Sequence, residues 1–264
     1  MRLGALVAIP VGGGLAVAAL GAATGGGDRV WLACQLATQS LALLGAIRVA
    51  RALDRHDWMF AAWSLTGLSF AIPVAWRVAV GTAGLWSARP PSVGIGLAVL
   101  LAVNLAAVSG ALVFVLAFTR AGLALPQERG AAVLEMGIVL AIALALGGPT
   151  LVGLVRAAET PADVFEAWLV VAGDVACFAL VAPLWRISRA FSGGVLAWPW
   201  AFLAFCNLGY LVFDAALVAG RVGGSGAPLR IAGEAIYAAS TLAACSAALA
   251  HRSAIAATRS APAA

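Results

Sequence analysis

The sequence predicts an all-α fold: a polytopic integral membrane protein of about eight transmembrane helices, arranged as a tandem 4+4 parallel repeat. Three observations predict it: the composition, the lengths of the apolar runs, and short patterns that recur between the two halves of the chain. Of 264 residues, 63% are hydrophobic and 10% charged, with a mean hydropathy of +1.02. Soluble domains hold about 45–50% apolar and about 25% charged residues. A soluble core cannot hide this excess, and the same figures exclude disorder, a disulfide scaffold and a nucleic-acid-binding domain.

A helix that crosses a bilayer needs about 20 mostly apolar residues, and eight runs meet that length. The first, 3–22, follows Met1-Arg2. Gly12-Gly13-Gly14 interrupts it and a counterpart appears later in the chain, so a retained span is expected, not a signal peptide. The second, 30–49, follows Gly25-Gly26-Gly27 and closes on Arg48 and Arg51. The third, 58–80, opens on Trp58 after the polar stretch Asp54-Arg55-His56-Asp57. Pro90-Pro91-Ser92 announces the fourth, 93–118. The fifth, 133–155, follows Gln127-Glu128-Arg129-Gly130, and the sixth, 164–185, follows Glu159-Thr160-Pro161. Glycine pairs at 193–194 and 223–224 precede the seventh, 196–219, and the eighth, 229–250. These spans leave only short connections and tails, with no room for a soluble catalytic domain.

The recurrence is ordered. Leu3-Gly4-Ala5-Leu6 returns as Met136-Gly137-Ile138-Val139; Arg48-Val49-Ala50-Arg51-Ala52 returns as Arg186-Ile187-Ser188-Arg189-Ala190; and Trp58-Met59-Phe60-Ala61 returns as Trp198-Pro199-Trp200-Ala201. Two four-helix halves follow, 1–125 and 126–264. An even number of spans per half puts both on the same side at entry, so the pseudo-two-fold axis lies along the membrane normal, unlike inverted-repeat transporters.

All 16 basic residues are arginine, against 11 carboxylates. Arginine-only usage with abundant Ala and Gly reads as the product of a GC-rich bacterial genome, hence a bacterial inner membrane. With the N-terminus inside, Arg2, Arg48, Arg51, Arg55, Arg120, Arg129, Arg186, Arg189, Arg252 and Arg259 are cytoplasmic, and Arg29, Arg77, Arg89, Arg156, Arg221 and Arg230 are not. This bias places both termini in the cytoplasm. Trp31, Trp58, Trp76, Trp86, Trp168, Trp185 and Trp198 fall near span ends, as an aromatic belt requires. Cys34, Cys177, Cys206 and Cys245 sit inside apolar runs without metal-ligand spacing and read as small buried hydrophobes.

Charge inside a bilayer costs about 2.5–3.5 kcal/mol on insertion scales and marks a functional hypothesis. Asp174 stands near the middle of the sixth run. It is either a working acid, in a ligand or catalytic site, or a buried hydrogen bond between helices. Asp214 and Glu234 are weaker candidates for the same ligand site: they lie closer to span ends, and both read first as interfacial ion pairs with Arg221, Arg77 or, for Glu234, Arg230 four residues earlier. Neutral polar residues, among them Gln35, Gln39, Ser69 and Asn104, read first as hydrogen-bonding glue between helices. Thr66 and Asn207 occupy equivalent repeat positions, as do Phe70 and Tyr210. If the third and seventh helices face one another, these four line one polar-aromatic pocket with Asp174 directed into it. His56 and His251 lie at the ends of runs, and no phosphate loop, HExxH, aspartate-rich DDxxD or GxSxG occurs. No metal or cofactor is expected.

The twice-used pattern of Arg48, Arg51 and Trp58, then Arg186, Arg189 and Trp198 with Leu208-Gly209-Tyr210-Leu211, resembles multi-helix bacterial membrane sensor domains. Those domains stand ahead of diguanylate cyclase or histidine kinase modules, whereas this sequence ends shortly after Arg252. The resemblance implies a receptor-type module that binds a small or lipophilic ligand between its halves and acts through a cytoplasmic signalling protein. Its basic inner loops would contact membrane lipid. Two alternatives stay open: an intramembrane acid catalyst such as an isoprenoid cyclase, with Asp174 as proton donor, and a small proton-coupled transporter.

Overall fold

The computed structural model describes residues 3–82, 92–122, 129–190, 197–222 and 226–260. Arg2, Trp86, Arg89 and Leu196 lie outside them, as do the side chains of Arg129, Trp185, Arg186, Arg189 and Arg221. The described residues form eight helices and no strand: α1 (Leu3–Thr24), α2 (Asp28–Ala50), α3 (Trp58–Gly81), α4 (Val93–Arg120), α5 (Arg129–Ala157), α6 (Pro161–Ala190), α7 (Trp198–Val222) and α8 (Gly226–Ser260). All eight are long and apolar enough to cross a membrane.

Their ends follow local chemistry. Gly25 and Gly26 take positive φ (71° and 65°) between α1 and α2, and Gly122 (68°) closes α4. Asp57 caps α3 by accepting from the Met59 amide at 2.8 Å. At the start of α6, Asp163 accepts from the Thr160 amide (2.8 Å) and hydroxyl (2.9 Å) and from the Glu159 amide (3.1 Å). The Thr160 hydroxyl accepts the Asp163 amide in return, so the two residues close a reciprocal box.

Six helices pack in the order α2, α3, α4, α6, α7, α8, with α8 returning to α2; α1 lies outside against α8, and α5 outside against α6 and α7. The least apolar of the eight is the most enclosed: α8 has a mean hydropathy of 1.2 and 67% of its span is buried. Its small residues allow this. Ala235 and Ala239 lie against Gly14 of α1, Cys245 and Ala248 against Gly45 of α2, and Ser240 against Gly209 of α7. The Ser246 hydroxyl donates to the Leu6 carbonyl at 2.8 Å, fastening α1 to α8.

One difference from the expected spans matters. α8 continues to Ser260, ten residues past the predicted end, and Arg259 on that extension donates to the Ala52 carbonyl at 2.8 Å. His251 consequently lies within a helix and not at its end. Its Nδ1 accepts from Trp63 Nε1 at 2.8 Å, and its ring packs against Trp63 and Trp200. Phe114 and Phe118 stand edge-on to Trp200, closing an aromatic core at this end of the bundle.

Candidate functional site

A cavity of about 760 Å³ lies inside the ring, and all six ring helices line it. Helical periodicity aims their contributions inward. On α6 the lining residues are Asp163, Glu166, Val170, Asp174, Cys177 and Val181, steps of three or four that keep to one face. Thr66, Phe70 and Arg77 of α3 and Asn207, Tyr210 and Asp214 of α7 follow the same rule. The cavity runs from Ser92, Asp163 and Glu166 at one end of the bundle to Phe114, Val181 and Leu203 deeper in.

Six of the seven residues singled out as a ligand site therefore meet around one space: Asp174, Thr66, Phe70, Asn207, Tyr210 and Asp214. The seventh, Glu234, does not line it. Glu234 is 6% exposed, and both carboxylate oxygens accept from Gln35 Nε2, at 3.1 and 2.8 Å. The expected pairing of Arg230 with Glu234 is replaced by one with Asp28, at 2.5 Å on the exposed end of the bundle. The reason is reach: the Glu234 carboxylate turns inward to α2, while the long Arg230 side chain extends to solvent.

The cavity has two polar walls. On the first, Arg77 Nε donates to Gln35 Oε1 at 3.0 Å and its Nη1 to Gln39 Oε1. Gln39 Nε2 then donates to the Tyr237 hydroxyl at 2.5 Å. The guanidinium carbon lies 5.8 Å from the centre of the Tyr237 ring. Each glutamine thus passes the arginine's charge on, one to Glu234 and one to Tyr237, and three helices are joined by one cation.

The second wall is carboxylic. Asp174 of α6 and Asp214 of α7 hydrogen-bond each other. Ionised carboxylates are acceptors only, so such a contact holds one proton between the two groups. Asp174 is half-buried and lines the cavity. Among the described residues no arginine pairs with either acid. Tyr210, one turn before Asp214, directs its hydroxyl to Thr241 at 2.9 Å, and its ring lies 5.5 Å from that of Tyr237.

The neutral polar residues divide. Asn104 behaves as interhelical glue: its Nδ2 donates to the Leu169 carbonyl of α6 at 2.7 Å, across a gap that Gly173 keeps open. Thr66 and Asn207 instead donate to their own helices, to the carbonyls of Ala62 (2.9 Å) and Leu203 (2.8 Å). Arg77 and Tyr237 belong to the site although neither was expected there. The spacing of Gln35 and Gln39, four apart on one helix face, was the signal that a donor had to meet them.

Arg48 and Arg51 are exposed at the opposite end of the bundle from Asp163, where Arg259 and Arg120 also lie. The Arg120 guanidinium covers the Trp58 ring at 4.1 Å. Arg186 and Arg189 fall in the last turns of α6, their side chains outside the described part. The four cysteines are free. No protein-family model matches the chain, and no curated protein or solved structure matches it either.

Proposed function

We propose that this is a multi-pass protein of the bacterial inner membrane, with both termini cytoplasmic, that binds a small or lipophilic ligand between two similar halves. One observation carries the reading. The 760 Å³ cavity takes three lining helices from residues 1–125 and three from 126–264, and it gathers Thr66 and Phe70 from the first with Asp174, Asn207, Tyr210 and Asp214 from the second. Small-molecule sites commonly occupy about 300–1,000 Å³ and combine apolar walls with a few polar groups. The two-half reading is supported by the ring order, in which α2, α3 and α4 are followed by α6, α7 and α8. The outer helices α1 and α5 depart from that symmetry, since α1 packs on α8 and α5 on its own half.

As a receptor-type module, the chain would pass occupancy of the cavity to the arginine-bearing end, where Arg48 and Arg51 (and, by sequence, Arg186 and Arg189) meet anionic headgroups or a cytoplasmic signalling protein. Mass spectrometry of lipophilic molecules extracted from the purified protein tests the reading. A stoichiometric small molecule is expected in the parent protein and depleted in the Asp174→Asn/Asp214→Asn double variant. An empty parent protein that also takes up no hydrophobic probe overturns it.

A second reading is favoured by the Asp174–Asp214 contact, because a proton held beside an aromatic cavity is what acid-catalysed isoprenoid cyclisation requires. Recovery of a cyclised product along with its linear precursor supports catalysis; recovery of one unmodified compound supports the receptor.

A further inference from the structure

From the charges around the cavity we infer that its occupant is a hydrophobic monocation, a protonated amine or quaternary onium group on an apolar body, with the Asp174–Asp214 pair as counter-ion. The inference rests on the binding reading above and names the ligand's class. Arg77 is the cation among the described lining residues, and its charge is already committed to Gln35, Gln39 and the Tyr237 ring, with Glu234 behind Gln35. Asp163, at the mouth, is occupied by capping α6. The carboxyl pair differs from both. Its members have each other, and with one proton between them they carry one negative charge.

A single unmatched negative charge in a low-dielectric pocket selects one positive charge. The walls suit that cation. Phe70, Trp76, Phe114, Tyr210, Phe213 and Tyr237 all line the space, and aromatic faces attract onium groups through the ring quadrupole. Glu166, exposed at the mouth, adds a further negative charge along the entry. A lipid phosphate or a fatty carboxylate would meet the wrong sign at the centre.

The test uses the full chain in phosphatidylcholine nanodiscs, titrated calorimetrically against empty discs with three probes. These are tetraphenylphosphonium, its anionic near-isostere tetraphenylborate, and neutral N-phenyl-1-naphthylamine. The phosphonium is expected to saturate one site about tenfold or more tighter than the borate. That preference should survive in Asp174→Asn and in Asp214→Asn, where the remaining carboxylate keeps the single negative charge, and in Asp174→Glu, and should vanish in the Asp174→Asn/Asp214→Asn double variant. Thermal unfolding of each variant shows that the site is still folded. If the neutral probe binds and the two ions do not differ, or if the double asparagine variant keeps the preference, the inference is overturned while the binding reading stands. If none of the three probes binds, both fall.

Discussion

The two polar walls of the cavity bury charge in opposite ways. On one, Arg77 finds an acceptor for Nε and another for Nη1, and the glutamines that accept from it are themselves used again by Glu234 and Tyr237. On the other, two acids of like sign lean on one another. The first arrangement engages both Nε and Nη1 of Arg77 and joins α2, α3 and α8. The second is held together by a single proton and opens onto the cavity. The difference teaches how structure and the proposed function divide here: the wall built on Arg77 ties helices together, and the wall with charge to spare is the one proposed to meet a ligand.

Removing the hub of the first wall breaks the comparison most severely. Arg77→Met strands the Gln35 and Gln39 carbonyl oxygens and takes from the buried Glu234 one of its two nearby positive charges, Arg230 being the other. A loss of about 3 kcal/mol in folding stability is expected, read as a lower midpoint in thermal or denaturant unfolding in detergent. Arg77→Lys should recover only part of it, because one ammonium cannot reproduce two donors fixed in a fork. An unchanged midpoint in Arg77→Met would mean that the network is incidental.

Gly173→Ala comes next, since it attacks the approach of α4 to α6 directly behind Asp174. A Cβ there would fall 2.5 Å from Asn104 Oδ1 and 2.7 Å from its Cγ, so Asn104 must withdraw from the Leu169 carbonyl. A cost of about 1–3 kcal/mol is expected. Asn104→Ala paired with Gly173→Ala should recover much of it in a double-mutant cycle.

Asp174→Asn should cost less than either, about 1 kcal/mol or below, because the amide still donates to Asp214 in place of the shared proton. The effect on binding needs both acids removed: an Asp174→Asn/Asp214→Asn variant of nearly parental midpoint that has lost its ligand sharpens the comparison, and one that unfolds with its ligand retained reverses it.

These contrasts also show what could be read before the structure. Eight helices were legible because apolar length is a one-dimensional property, and Asp174 was legible because its depth is measured by counting from the span ends. The pairing of Thr66 with Asn207 and of Phe70 with Tyr210 came from the recurrence, and all four line the cavity. The partner of Glu234 was not legible. An arginine one helical turn away competes with a glutamine on another helix, and the choice depends on which way α8 turns its face. Length misled at α8 as well. Its last ten residues are too polar to count toward a span, yet they stay helical, with Arg259 anchored on the Ala52 carbonyl. His251, taken for a helix end, is thereby enclosed between Trp63 and Trp200.

The smallest effect is expected where the same chemistry is moved into water. Arg230 and Asp28 approach to 2.5 Å, closer than any contact Arg77 Nε makes, yet their side chains are 46% and 89% exposed. Distance is therefore a poor guide to worth in this molecule. An exposed pair gains little from Coulomb attraction in high dielectric and spends side-chain entropy to hold its geometry, so a coupling of about 0.2–1 kcal/mol is expected from the Asp28→Ala and Arg230→Ala cycle, falling further in added salt. A coupling above that of Arg77 with Gln35 would invert the order argued from burial. A small, salt-sensitive value beside a large, salt-insensitive one at Arg77 would show that enclosure by α2, α3 and α8 gives the buried arginine its weight.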